Sequence, residues 1–459
     1  MPRIPPSLPL VAVMGTTGTG KSDLAVDLAV RFNGEVINAD AMQMYKGLPI
    51  ITNQISEAEQ RGIPHHMLAA IDHGEPTWTV TYFAREARRI IQEIRSRGKL
   101  PIVVGGTHYY INSLLFDDTI VAAAEKEDED VQLRPQEETI AQFPILDEPT
   151  DVMFKKLQEV DPAMAERWHP DDRRKIKRSL EIFLTTGKRA SEIYAQQQAD
   201  RMAAGDTPAT WEALMFWVYS KPEVLNERLN TRIDKMEQRG LMGEVRQLAA
   251  FLNERSACGE EVDQTRGIWQ SIGFKQMEPL LQAEKRGSSQ MQLDRARAEG
   301  LELMRIATRQ YAKSQIKWLR NKTGPELREK DALPYLFVLD SSDVDKFSTD
   351  VLQPAADVLQ CFLAGEALPQ PQSLSSTARD VLAPFMESEK PAKAEIKTFR
   401  CDDCHLTLVT EAQWNDHITG RKHQRVVKNK KRKALVPVPD TSKSDSDEVK
   451  SEDAANDTK

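Results

Sequence analysis

Eight consecutive residues, Gly15-Thr16-Thr17-Gly18-Thr19-Gly20-Lys21-Ser22, constrain this chain more than any other stretch. An apolar run at 8–14 (LPLVAVM) precedes them, and 23–32 (DLAVDLAVRF) follows with apolar residues at helical spacing. Strand, G-x-x-x-x-G-K-S, helix is the P-loop in its usual context. The glycines let successive amides curl around an anion, and the helix N-terminus adds the positive end of its dipole. Gly15, Thr16, Thr17, Gly18, Thr19, Gly20, Lys21 and Ser22 are therefore candidate ligands of a phosphate or diphosphate. Lys21 supplies a point charge and Ser22 an oxygen for Mg²⁺. The loop predicts an α/β fold with a P-loop NTPase-like parallel sheet. It does not say what chemistry the bound group undergoes.

Short apolar runs at 35–39, 100–104, 211–220 and 333–339 read as further strands, and helical spacing recurs at 83–97, 222–253 and 344–363. Open α/β sheets collect catalytic groups at strand ends. Asp40 ends the second strand, where it is either a helix N-cap or a reacting carboxylate. The third strand ends in Gly105-Gly106-Thr107 in place of the Mg²⁺-organising Asp of many P-loop ATPases, which argues against an ordinary ATPase motor. His65 and His66 invite a metal reading, but neighbours on extended chain point to opposite faces, so structural roles are expected.

At 459 residues, 40% of them hydrophobic, there is room for two or three domains. The organisation read from the sequence is a first part of the core at 1–120, a helical insertion at 121–205 and a return to the core at 206–363. A linker at 364–395, a finger at 396–425 and a basic, then acidic, disordered tail at 426–459 complete it. No apolar run approaches the ~20 residues that span a bilayer, and the start resembles neither a secretory nor a transit segment. A cytoplasmic location is expected, with nuclear and mitochondrial pools left open, and a monomer.

The net charge of −8 hides local basic surfaces. Residues 305–322 carry six basic residues and no acid, and Arg309, Lys313, Lys317 and Arg320 line one helical stripe. Lys175, Lys177 and Arg178 lie in a second basic helix. Such surfaces suit nucleic-acid phosphates, although a solvated helix face is the bland alternative. Cys401-x₂-Cys404-x₁₂-His417-x₅-His423 has the spacing of a tetrahedral structural Zn²⁺ site. Residues 421–433 after it hold eight basic residues, and Phe399, Leu408 and Trp414 offer a small core.

Together these blocks resemble the eukaryotic-type tRNA dimethylallyltransferases, also called tRNA isopentenyltransferases. The resemblance covers about 8–322 through GTTGTGKS, NADAMQMYKGLPIITN, GIPHHML, VVGGTHYYI, HPDDRRKIKRSLEIF, RIDKMEQRGLMGEV, GIWQSIGFKQ and TRQYAKSQIKW, and the finger also occurs in eukaryotic members. Ser314 departs from it, since a second basic residue is expected beside Lys313. The resemblance implies transfer of a dimethylallyl group from dimethylallyl diphosphate to the exocyclic N6 amine of the adenosine immediately 3′ of the anticodon in tRNA. It implies Asp40 as general base, Thr107 as hydrogen-bond donor to the bridging oxygen, and Arg232, Lys21 and Mg²⁺ as stabilisers of the leaving diphosphate. Asp40, Ala41, Met42, Gln43, Lys175, Lys177, Arg178, Arg309, Lys313 and Lys317 would contact the anticodon stem-loop. A free-nucleotide isopentenyltransferase, a nucleic-acid-binding regulator that retains an NTP-binding fold, and a small-molecule kinase are the competing readings.

Overall fold

The apolar run before the P-loop becomes strand β1 (Pro9–Gly15), buried along almost its whole length. A strand with no polar face must be covered on both sides, which a parallel sheet under crossover helices achieves. The structure, a computed structural model, describes residues 3–75, 77–116, 143–193, 196, 212–260, 262–387, 399–404, 406–408 and 411–434. Helix α1 (Lys21–Arg31) leads into β2 (Gly34–Asn38), followed by the two-residue strand β3 (His65–His66). Helix α2 (Val80–Ser96), β4 (Leu100–Gly105) and α3 (His108–Leu115) complete the first half. After the insertion come β5 (Glu212–Tyr219) and, later, β6 (Leu336–Asp340). The six strands form one parallel sheet in the order β3-β2-β4-β1-β5-β6. Placing β1 between β4 and β5 sets the P-loop at the middle of the sheet's C-terminal edge.

The two expected histidine roles are structural. His66 Nε2 lies 2.7 Å from the buried Glu35 carboxylate, while His65 Nδ1 lies 2.8 Å from the carbonyl of Ile63. Glu35 also takes Arg97 at 2.6 Å and Lys99 at 2.8 Å. Burial alone would push its carboxyl up, but Lys99, Arg97 and His66 outweigh it and hold the group at about 2.

Three readings of the second half change. The helix expected over 222–253 is two, α7 (Pro222–Gln238) and α8 (Leu241–Ala257). Helices α4 (Thr150–Val160), α5 (Pro162–Arg167) and α6 (Arg173–Thr186) precede these in the chain. The break falls at Gly240, whose φ of +103° no helix accommodates. The basic helix expected over 305–322 starts much earlier, as α9 (Gln290–Trp318), and its N-terminal half adds acids that the shorter reading left out. The linker expected over 364–395 is ordered in part: after α10 (Gln353–Ala364), helix α11 (Ser376–Glu387) buries Ala378, Val381, Leu382 and Phe385. Those four follow i, i+3, i+4, i+7, an amphipathic pattern that the Pro- and Ser-rich flanks obscured.

The described residues fall into two compact units, the sheet core with 3–116 and 212–387, and a second holding 143–193 and 399–434. In the second, α4, α5 and α6 pack on Met153, Leu157, Met164, Ile176 and Leu180, all buried. Asp161, 1% exposed, ties them: Oδ1 accepts from Met164 N at 3.3 Å and Oδ2 from Ser191 N at 2.9 Å. Residues 121–142, 194–195 and 197–205 of the expected helical insertion lie outside the described residues, as does the acidic part of the tail. The finger begins as a hairpin, β7 (Phe399–Cys401) with β8 (Leu406–Leu408), and continues as α12 (Glu411–Thr419) and α13 (Arg421–Ala434). The start of the expected disordered tail is thus helical. Among the described residues, no helix is long and apolar enough to cross a membrane.

Candidate active site

The P-loop wraps the start of α1 with Gly18 and Gly20 both at φ +84°, the left-handed region that brings successive amides to one side. Lys21 Nζ donates to the carbonyl of Thr16 at 2.6 Å. Arg232, from α7, reaches over the loop and donates to Thr17 Oγ1 at 2.6 Å. Two cations from distant parts of the chain therefore flank the cradle. Burial lowers the Lys21 ammonium to about 8, partly opposed by Asp40, and lowers the Arg232 guanidinium to about 10. Both remain charged at neutral pH and are incompletely solvated, so they favour an incoming anion.

Asp40 stands at the end of β2. Buried Asn38 places it, accepting from Asp40 N at 3.1 Å and donating to the carbonyls of Asp40 and Met67 at 3.1 and 3.0 Å. Asp40 Oδ1 accepts from Met42 N at 3.1 Å, so one oxygen shapes the turn through Ala41, Met42 and Gln43. The capping contact thus rests on Oδ1, while Oδ2 lies near Gly106. Burial pushes the Asp40 carboxyl above its ordinary range, against Lys21, the Met42 amide and Arg232. A carboxylate so placed is a stronger base than a solvated one.

Thr107 follows β4, its N–H donating to the carbonyl of Ala39 at 3.2 Å and its Oγ1 accepting from Ala41 N at 3.0 Å. The strand ends of β2 and β4 are thus stitched together. A Cβ on Gly106 would lie 2.4 Å from Gln315 Nε2 and 3.4 Å from Asp40 Oδ2, so only glycine lets these groups meet. Beside Thr107, both ring nitrogens of His108 are buried and lack a hydrogen-bond partner among the described residues. Burial and the Lys21 charge push that imidazole down to about 3, leaving it neutral.

Sequence reasoning missed two contributors. Glu244, 7% exposed, accepts from the amides of Ile50 and Ile51 at 2.8 and 2.7 Å and so clamps the loop after Gln43. Gln315, 3% exposed, accepts from Thr17 N at 3.0 Å and donates to the carbonyl of Gly106 at 2.9 Å. A polar residue on the apolar side of the basic stripe in α9 was the available signal.

The candidate RNA contacts divide. Lys313 and Lys317 are exposed on α9 with no ion pair among the described residues. Arg309, from the same stripe, is held elsewhere: it donates to Asn230 Oδ1 at 2.6 Å and lies 3.5 Å from Glu302. Arg305 likewise meets Asp234 at 2.5 Å. These two arginines tie α9 to α7. In α6, Lys175 pairs with Asp172 at 3.2 Å and lies 4.9 Å from the ring of Trp168, Arg178 pairs with Glu181 at 3.0 Å, and Lys177 is half-buried.

In the finger, one donor atom each from Cys401, Cys404, His417 and His423 lies within 4.8 Å of the other three. His423 Nδ1 is 3.5 Å from both sulfurs, and the buried His417 Nε2 has no hydrogen-bond partner among the described residues. Two soft thiolates, two imidazoles and an orphaned ring nitrogen fit one tetrahedral Zn²⁺. Phe399 stacks on Trp414 with ring centres 5.6 Å apart, giving the metal a small core to order.

A family model described as IPP transferase matches residues 43–322, and one for a zinc-finger of C2H2 type matches 399–423. The tRNA dimethylallyltransferase of Schizosaccharomyces pombe is 38% identical over 93% of this chain and 96% of its own. That of Homo sapiens is 34% identical over 93% of this chain and 87% of its own. The crystal structure of a eukaryotic dimethylallyltransferase acting on tRNA superposes with a TM-score of 0.75 at 32% identity, covering 93% of this chain and 98% of that one. With a P-loop that faces a carboxylate and a threonine across one sheet edge, and a cysteine–histidine finger later in the sequence, the chain belongs to the tRNA dimethylallyltransferase family.

Proposed function

We propose that this chain transfers a dimethylallyl group from dimethylallyl diphosphate to the N6 amine of the adenosine immediately 3′ of the anticodon in tRNA, releasing diphosphate. The observation that carries the reading is the placement of Asp40 and Thr107 opposite a P-loop flanked by Lys21 and Arg232. The loop then holds a leaving group, and its cations stabilise the charge that grows as the allylic carbon–oxygen bond breaks. Adenine N6 is a weak nucleophile because its lone pair is delocalised into the ring. Asp40 accepts a hydrogen bond from it and takes its proton as the carbon–nitrogen bond forms. Ser22, beside Lys21 at the start of α1, is the hard oxygen that would hold Mg²⁺, which neutralises charge on the diphosphate when bound.

A stacked adenine does not reach the floor of this site, so the base is extruded from the anticodon loop before reaction. Lys313 and Lys317 meet the phosphates of that arm, and Lys175, Lys177 and Arg178 form a second contact region. The test offers ¹⁴C-dimethylallyl diphosphate to the chain with tRNA, with AMP, or with neither. Label in tRNA, absent from a transcript carrying guanosine 3′ of the anticodon, is the expected result. Label in AMP instead would overturn the substrate assignment.

A further inference from the structure

Resting on the proposed reaction, we infer that Tyr109, braced by Trp318, is a stacking platform for the unpaired base that adjoins the reacting adenosine in the anticodon loop. Three successive contacts join α3 to the end of α9 and the wider turn Leu319–Thr323 that follows it. Gln315 Nε2 donates to the Gly106 carbonyl at 2.9 Å. The rings of Tyr109 and Trp318 meet edge to face with centres 5.9 Å apart. Thr323 Oγ1 donates to Asn112 Oδ1 at 3.1 Å, both side chains being buried. Trp318 is half-buried, and its indole N–H is covered, with no hydrogen-bond partner among the described residues. Tyr109, two residues past Thr107, is 38% exposed. An aromatic ring held between two fixed hydrogen bonds at the rim of a site loses little freedom when it binds.

The turn of α9 decides what lies beside that ring. At about 100° per residue, the order around the helix from Gln315 is Tyr311, Trp318, Ser314, Lys317 and Lys313. The aromatic residues thus stand between the reacting groups and the lysines, and Tyr311 is also 37% exposed. Ser314 falls where the family resemblance leads one to expect a basic residue. Its hydroxyl turns back to the Tyr311 carbonyl at 2.7 Å, so position 314 lays no long charged side chain over the rings. Residues 305–322 hold no acid, which suits a polyanion and disfavours a basic or neutral peptide. An exposed ring followed by lysines matches one nucleotide, its base stacked and its phosphates on the ammonium groups. Extruding the adenosine toward Asp40 strips its neighbour of a stacking partner, and the platform replaces that partner.

The measurement is affinity for the anticodon stem–loop of a tRNA that the parent chain labels, over a range of salt concentrations. Tyr109→Leu keeps apolar cover over Trp318 and removes the aromatic face. We expect about a tenfold loss of affinity, within the range for one base–aromatic stack, with the slope against salt unchanged. Tyr109→Phe, which keeps the ring, should bind within about twofold of the parent. Lys317→Ala, at a phosphate contact, should instead lower the slope by about 0.7. Stem–loops made abasic on the 5′ or the 3′ side of the reacting adenosine identify the occupant. At one of the two positions the parent should lose about tenfold, and Tyr109→Leu should lose nothing further. A parent that labels no tRNA would sink the proposed reaction and the platform together. With an active parent, three results would each overturn the platform alone: Tyr109→Leu binding as tightly as the parent, Tyr109→Phe losing as much as Tyr109→Leu, or full additivity with the abasic change at both positions.

Discussion

Replacing Asp40 by Asn separates the two jobs of this carboxylate. The amide keeps an oxygen where Oδ1 now accepts from Met42 N, so the turn through Gln43 survives. It cannot take a proton from an amine. A positioned general base contributes about 10²–10⁴ in rate, and a hundredfold corresponds to about 2.7 kcal/mol of barrier. Asp40→Asn should therefore lose at least a hundredfold in the single-turnover transfer rate, with tRNA binding and the melting temperature close to the parent's. Asp40→Ala should lose a similar factor and, in addition, about 1 kcal/mol of stability with the Met42 bond. The pH profile gives an independent reading. Burial raises the carboxyl above its ordinary 3.8, so the base is ionised above that raised value and lost below it. The parent's rate should fall as pH drops through it, and the Asn variant should lack that limb. An Asn variant within a few-fold of the parent would reduce Asp40 to a turn-forming residue.

Other expectations follow from the same geometry. Because the Lys21 ammonium sits at about 8, affinity of the free enzyme for dimethylallyl diphosphate should weaken as pH rises through that value, and Lys21→Ala should abolish the dependence in calorimetric titrations. Lys21→Ala and Arg232→Ala should both slow transfer, while ATP competes weakly and is not consumed; stoichiometric ADP release would contradict the leaving-group reading. Glu35 is held at about 2 against an ordinary 4.5, so its contribution is present above 4.5 and lost as pH falls through 2. That shift is worth about 3 kcal/mol, and Glu35→Gln should flatten denaturant-measured stability over that window. Removing residues 396–459 takes away the eight basic residues of 421–433 and should weaken tRNA binding and lower its salt slope, with saturated turnover unchanged. A chelator should unfold the finger without altering the core's melting transition, and a shared transition in calorimetry would refute its independence.

The sequence by itself determined the parts whose signal is local. The P-loop lies in consecutive residues, and its strand–loop–helix setting follows from uninterrupted apolar runs, so the parallel sheet and its anion cradle were legible. The finger's four donors were legible for the same reason, because metal geometry acts through fixed spacing. Asp40 was legible at a strand end, and the fold adds that one of its oxygens accepts from Met42 N while the other lies near Gly106. What tertiary structure decided is what depends on partners far away in the chain. Arg309 reads as one of a free basic stripe, yet α7 supplies Asn230 and the preceding turns of α9 supply Glu302 to occupy it. Glu244 and Gln315 lie inside the matched blocks, but nothing local gives them a role; that arises only when α8 meets the loop at Ile50 and α9 meets the P-loop at Thr17. Helix α11 hid in a stretch of linker-like composition because four buried residues among prolines and serines are a weak local signal. Only the core they cover gives them a reason to fold.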